Sequence, residues 1–351
     1  MAKHRLLMIG AGGMAGNWIR RFLPNFFNRL EVVGLVDINP EILRASGDFL
    51  NLAPAARFTN LTTALETVDA DFCAVVIPPT FHKEAVLQAA RRGLPILSEK
   101  PIADTWEASL DIYHGVKAAG IKMAVIQNYR YNHWMVTMRQ VLRDGDLGRI
   151  NYLVGRFAAD YREYLAWGAR FRYEIPHALL VEGAVHHFDQ LRNLSGGDCQ
   201  SMAGWEWNPA WSSSKGEYNN LYVMTMTNGV HASYEGSGTA AGEQNTWHEE
   251  YYRAECENGS VTVGRDHVVR IHRHKRGRGL ITEEVPAVRP IWEGHNYLID
   301  EFLTWLDGGP PAATVIDDNI KTAAMLFAAI EASASGQTID VAAMLAKGVG
   351  S

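Results

Sequence analysis

The chain has 351 residues, 47% of them apolar and 21% charged, a size that suits two domains of roughly 150 residues each. A formal net charge of −6 argues against nucleic acid or an anionic membrane as partner, and no apolar run reaches the ~18 residues of a membrane span. With no leader ahead of the first strand and with Cys73, Cys199 and Cys256 isolated from one another, the expectation is a cytoplasmic protein without disulfides or a metal site.

The chain opens on an apolar run, 6–9, that breaks into Gly10, Gly12 and Gly13 and passes at once into a helical pattern over 14–23. Strand, tight turn and helix in that order, with Ala15 closing a G-x-G-x-x-A pattern, form the fingerprint of a dinucleotide-binding turn. Gly10 is expected to make the turn, Gly12 and Gly13 to let backbone approach a pyrophosphate, and Met14 and Ala15 to open the helix whose N-terminus faces the phosphates. A second apolar strand, 31–36, ends in Asp37. A carboxylate there suits the ribose hydroxyls of NAD and repels the extra phosphate of NADP, with Ile38 beside it. Taken alone, Asp37 also reads as the first residue of the turn Asp37-Ile38-Asn39-Pro40.

Strand and helix patterns then alternate: helix 40–50, strand 72–77, helix 82–92, strand 95–98, helix 105–119, strand 122–126. Continuous apolar strands between amphipathic helices predict a doubly wound parallel sheet buried on both faces over 1–126, with ligands beyond the carboxyl ends of its strands. The residues to inspect there are Ile77, Pro78, Thr80 and His82 at and after the strand 72–77, Glu99 and Lys100 after 95–98, and Asn128 after 122–126.

The glycine turn, the acidic residue after the second strand, Pro78-Pro79-Thr80-Phe81-His82 and Glu99-Lys100-Pro101 follow one another in the order of the Gfo/Idh/MocA oxidoreductases, which this sequence resembles over most of its length. The resemblance implies an N-terminal Rossmann domain that binds NAD and a C-terminal α+β domain, over 127–351, that binds a sugar or polyol and pairs subunits into a homodimer or homotetramer. It also turns Lys100 from a surface lysine beside Glu99 into a group that holds a developing alkoxide by charge.

From 128 onward the alternation stops. A helix is predicted over 134–143, then strands over 151–158, 221–227, 230–237, 251–257, 260–263 and 268–272, with Asn228-Gly229 and Asn258-Gly259 as hairpin turns. This is a large open, mostly antiparallel sheet. A long helix over 178–194 interrupts it and sets Glu182, His186 and Asp189 at i, i+4 and i+7 on one face. The resemblance gives His186 the role of general base, with Glu182 standing where aspartate is commoner. Aromatic and basic residues crowd this half, and Arg130 and Tyr161 are the candidates for substrate contact beside Lys100, Asn128 and His186. The basic run 272–278 reads as a solvated hairpin tip. Two amphipathic helices, 295–306 and 319–335, end the pattern.

These readings combine into a hydride transfer between NAD and a secondary alcohol of a sugar, polyol or glycoside. Two alternatives stay open: a redox-neutral cleavage or isomerisation that retains NAD, with Tyr161, His177 or Glu182 as the further acid or base, and an NAD-binding sensor without chemistry.

Overall fold

The computed structural model describes residues 2–350. The chain forms two compact units. The first runs to Asn128 and also takes in Gly294–Ile320; the second comprises Tyr129–Glu293 and the chain from Lys321 onward. The expectation of a second domain unbroken from 127 to 351 is therefore corrected, because a segment near the C-terminus packs with the N-terminal sheet. No helix among the described residues is long and apolar enough to cross a membrane.

In the first unit six parallel strands lie in the order β3-β2-β1-β4-β5-β6: β1 (His4–Ile9), β2 (Leu30–Val36), β3 (Arg57–Phe58), β4 (Phe72–Val75), β5 (Ile96–Ser98) and β6 (Met123–Val125). Leu6, Leu7, Met8, Cys73, Ala74, Val75 and Ile96 are fully buried, as strands covered by helices on both faces must be. The order reverses between β1 and β4, which makes the crevice beyond their carboxyl ends the place for a ligand. The helices are α1 (Gly13–Asn17), α2 (Pro40–Phe49), α3 (Leu61–Thr67), α4 (His82–Arg91) and α5 (Trp106–Ala119). Helix 14–23 of the sequence reading is compound: α1 passes into a π turn, Trp18–Phe22, and then a 3-10 turn, Leu23–Phe26.

The returning segment closes this unit. Its helix, recorded over Gly294–Leu306, offers Asp300 and Asp307 to Arg29, at 2.6 and 2.7 Å. Farther on, Thr314 O accepts a hydrogen bond from Val125 N at the end of β6, at 3.0 Å.

The second unit opens with α6 (His133–Asp144) and a nine-stranded sheet ordered β14-β13-β12-β11-β7-β10-β9-β8-β15. Its strands are β7 (Ile150–Ala158), β8 (Cys199–Trp207), β9 (Asn219–Met226), β10 (His231–Ser237), β11 (Tyr251–Cys256), β12 (Gly259–Val263), β13 (Arg270–Lys275), β14 (Gly279–Glu284) and β15 (Ile339–Asp340). Only the pair β7 and β10 is parallel, so the sheet is mostly antiparallel as expected. Both Asn-Gly turns form, and the basic run lies at the β13–β14 hairpin. One face packs against α7 (Val185–Ser195), with Phe188 edge-on to Tyr222 at 5.9 Å, and against the second half of the helix Ile316–Ser335, where Tyr222 Oη donates to Ala329 O at 2.9 Å. The opposite face is open. There Trp205, Leu221 and Val223 are exposed, with Trp205 directly across from Leu221. Strand β8 escapes sequence reading because its tryptophans point to that open face and blur the alternation of apolar and polar residues.

Candidate active site

In the first unit the glycine turn is fixed by backbone geometry. Gly10 has φ of +106°, and a Cβ there would stand 2.1 Å from Val76 O, so only glycine fits between β1 and the exit of β4. Gly12 is extended at the N-cap of α1, with no side chain capping that end. A Cβ on Gly13 would meet nothing within 4 Å. An uncapped helix start with room at Gly13 suits a phosphate.

Beside this turn Asp37 Oδ2 accepts from Ala11 N at 2.8 Å, and Oδ1 accepts from Asn39 N at 2.9 Å. The carboxylate is therefore aimed at the glycine turn. Capping of α2 falls to Asn39, whose Oδ1 accepts from Glu41 N and Ile42 N. The two readings of Asp37 are compatible, since one carboxylate both starts the turn and borders the cradle. Ile38 next to it is 85% exposed.

Beyond β4, Ile77 is half-buried while Pro78 and Thr80 lie at the surface. His82 is fully buried. Its Nδ1 faces Pro101 O and Ile102 O at 3.0 and 3.2 Å, and its Nε2 faces Ile77 O at 2.9 Å. Burial pulls its proton affinity down, against the three carbonyls that raise it. His82 thus ties the loop after β4 to the loop after β5. Glu99 is likewise occupied, its Oε1 accepting from Trp18 Nε1 at 2.9 Å and pairing with His295 Nε2 at 3.1 Å. Lys100 follows it at the end of β5, half-buried. Asn128 is buried in a 3-10 turn, Asn128–Tyr131.

In the second unit the helix expected over 178–194 begins with a π turn, Leu180–Ala184, before α7. Bonding from i to i+5 widens that turn, so the even spacing of Glu182, His186 and Asp189 on one α-helical face does not hold. Gly183, inside this turn, lets the Trp247 ring pack against the backbone, since a Cβ there would lie 2.5 Å from it. Glu182 Oε2 accepts from Arg172 Nε at 3.1 Å. Asp189, wholly buried, takes both Arg130 Nε and Nη2 at 2.6 Å and the Thr322 hydroxyl at 2.8 Å. Arg130, expected at substrate, is thus the fork of a buried ion pair.

His186 is 6% exposed and stacks on Tyr129, with ring centres 4.3 Å apart and planes 5° from parallel. Its neighbour His187 faces away, with Nδ1 at 2.5 Å from Tyr234 Oη and Nε2 at 3.3 Å from Glu250. Tyr161 lies flat on Trp167 at 5.0 Å inside an aromatic cluster with Tyr173 and Tyr218. The sequence places Tyr129 among the aromatic residues that crowd this half, without singling it out.

Comparison with known proteins adds to this geometry. A profile described as "Oxidoreductase family, NAD-binding Rossmann fold" matches residues 4–127, and the "GFO/IDH/MocA C-terminal domain" matches residues 135–262. An uncharacterized protein, y4oX, of Sinorhizobium fredii is 39% identical over 348 residues, covering 96% of both chains. The chain belongs to the GFO/IDH/MocA oxidoreductase family.

Among other relatives of this GFO/IDH/MocA protein, an inositol 2-dehydrogenase of Arthrobacter is 26% identical over 96% of each chain. An oxidoreductase of Agrobacterium radiobacter, crystallised with NAD+, L-tartaric acid and magnesium, shares the fold with a TM-score of 0.84 at 19% identity, over 98% of this chain and 100% of that one. The first unit is accordingly an NAD-binding Rossmann domain. Its own residues fit the cofactor, because the uncapped helix start, the open space at Gly13 and the carboxylate of Asp37 surround one crevice.

Proposed function

We propose that the protein is an NAD-dependent dehydrogenase that oxidises a secondary alcohol of a sugar, polyol or glycoside, or runs that reaction in reverse. The observation that carries the reading is Lys100 at the carboxyl end of β5, two strands from the glycine turn of β1 in the same parallel sheet. The relatives named inositol 2-dehydrogenase support the substrate class.

The bound nicotinamide supplies the hydride acceptor. Gly12, Gly13, Met14 and Ala15 hold the pyrophosphate by backbone N–H groups, and Asp37 accepts from the ribose hydroxyls. Ile38, Ile77, Pro78 and Thr80 would be further contacts of the cofactor. Lys100 Nζ donates to the reacting oxygen and stabilises the alkoxide, while His186 removes the hydroxyl proton. Glu182 is the candidate for orienting that imidazole, and the Tyr129 ring stacked on it holds its plane. Asn128 stands at the junction between cofactor and substrate.

The candidates for redox-neutral chemistry are otherwise engaged: Tyr161 in its aromatic cluster, Glu182 on Arg172, and His177 on Glu206. The open face of the second unit, with a groove of about 400 Å³ among Ala203, Trp205, Leu221 and Val223, fits a second copy of the chain.

The test is turnover with NAD over a panel of sugars, polyols and glycosides, following reduced nicotinamide and product mass together. Lys100→Met is expected to lower kcat by about 10²–10⁴-fold, the scale of losing a charge-stabilising donor, with NAD affinity retained. Normal turnover in that variant sinks the catalytic assignment.

A further inference from the structure

A side-chain cluster in the second unit takes no part in the chemistry above. His177, three residues before the π turn that leads into α7, brings Nδ1 to 2.5 Å from Glu206 Oε1 and to 3.7 Å from Glu217 Oε2. Glu206 lies near the end of β8 and Glu217 just before β9, so two adjacent antiparallel strands present the carboxylates. The backbone N of His177 is held by Glu217 Oε2 at 2.8 Å. One ligand-type atom from each residue lies within 4.8 Å of the other two.

An independent feature points to a missing positive charge. The Glu206 side chain is only 4% exposed, and its second oxygen, Oε2, is buried without a hydrogen-bond partner. A buried carboxylate oxygen lacking a donor is costly. A cation seated between the three residues removes that cost.

We propose that His177, Glu206 and Glu217 form a structural binding site for a divalent transition-metal ion, zinc being the best match. One imidazole nitrogen and two carboxylates neutralise a double positive charge and are the donor types zinc accepts; magnesium and calcium prefer oxygen alone. Tetrahedral bonds of ~2.0–2.1 Å set ligand atoms roughly 3.3 Å apart, between the 2.5 and 3.7 Å found here. A metal would take the place of the proton shared by His177 and Glu206. His177 and Glu217 are 33% and 32% exposed, which leaves the remaining coordination position to water.

His177 O accepts from Val181 N at 2.9 Å, so the metal pins the start of the π turn that leads to His186. The proposal does not depend on the reaction given above.

The test is calorimetric titration of zinc chloride into the full-length, tag-free protein after removal of metal by chelator and dialysis. The expected result is one equivalent per chain, a melting temperature that rises with zinc, and a visible cobalt(II) spectrum of low-coordinate type when cobalt replaces zinc. Glu206→Gln and Glu217→Gln should each weaken zinc binding roughly tenfold or more. Glu217 is partly exposed, so Glu217→Gln decides the matter if Glu206→Gln fails to fold. Absence of saturable zinc binding in the parent chain, or affinity unchanged in a folded Glu217→Gln, overturns the site.

Discussion

Asp37 divides its two oxygens between the glycine turn and the following turn, and each keeps a lone pair for a ligand hydroxyl. Asp37→Ala should weaken NAD binding by ~10–100-fold, since hydrogen bonds to charged groups contribute about 1.5–3 kcal/mol, and should move preference toward NADP; titrations with both reduced cofactors read this. The Arg130–Asp189 pair belongs to stability. Arg130→Ala leaves Asp189 charged and wholly buried, and about 3–5 kcal/mol of stability should be lost in denaturant unfolding. Glu99 sets an acid limit. Burial opposes its charged form, yet the hydrogen bonds from His295 and Trp18 and the charges of His295 and Lys100 prevail, and the carboxyl titrates below its ordinary 4.5. Its contribution is complete above that pH and is lost as pH falls further, so Glu99→Gln should flatten the acid limb of melting temperature against pH. Residue types were legible in the sequence, but the protein partners of Arg130, Glu99 and His82 were not. Asp189 meets Arg130 and Thr322 across 59 and 133 residues of chain, and no spacing rule reaches that far.

At the level of elements, apolar runs and glycine punctuation located most strands of the first unit and the hairpins of the second. What periodicity could not see was helical register. Residues 178–194 carry the pattern of a continuous α-helix, whereas Trp247, packed on Gly183 and stacked on Phe157 at 4.3 Å, accompanies a π turn. Gly183→Ala should cost ~1–3 kcal/mol by overpacking and lower kcat while leaving NAD affinity intact, because His186 is carried on the helix that follows. Short elements were also lost. Strand β3 has two residues and β15 two, below the length at which alternation can be recognised.

For the whole molecule, the open face of the nine-stranded sheet predicts a dimer or larger assembly in light scattering. Val223→Asp, placing a charge on an exposed position beside Trp205 and Leu221, should shift it toward the monomer with its circular dichroism unchanged. The division into units carries a different consequence. The first unit needs Gly294–Ile320 to cover Glu99 with His295, engage Arg29 and bond β6. On the ribosome, its first 128 residues therefore emerge well before their last packing partners are synthesised. Domains made first usually fold first; here the cofactor-binding unit must wait, partly open, until residues 294–320 have been made.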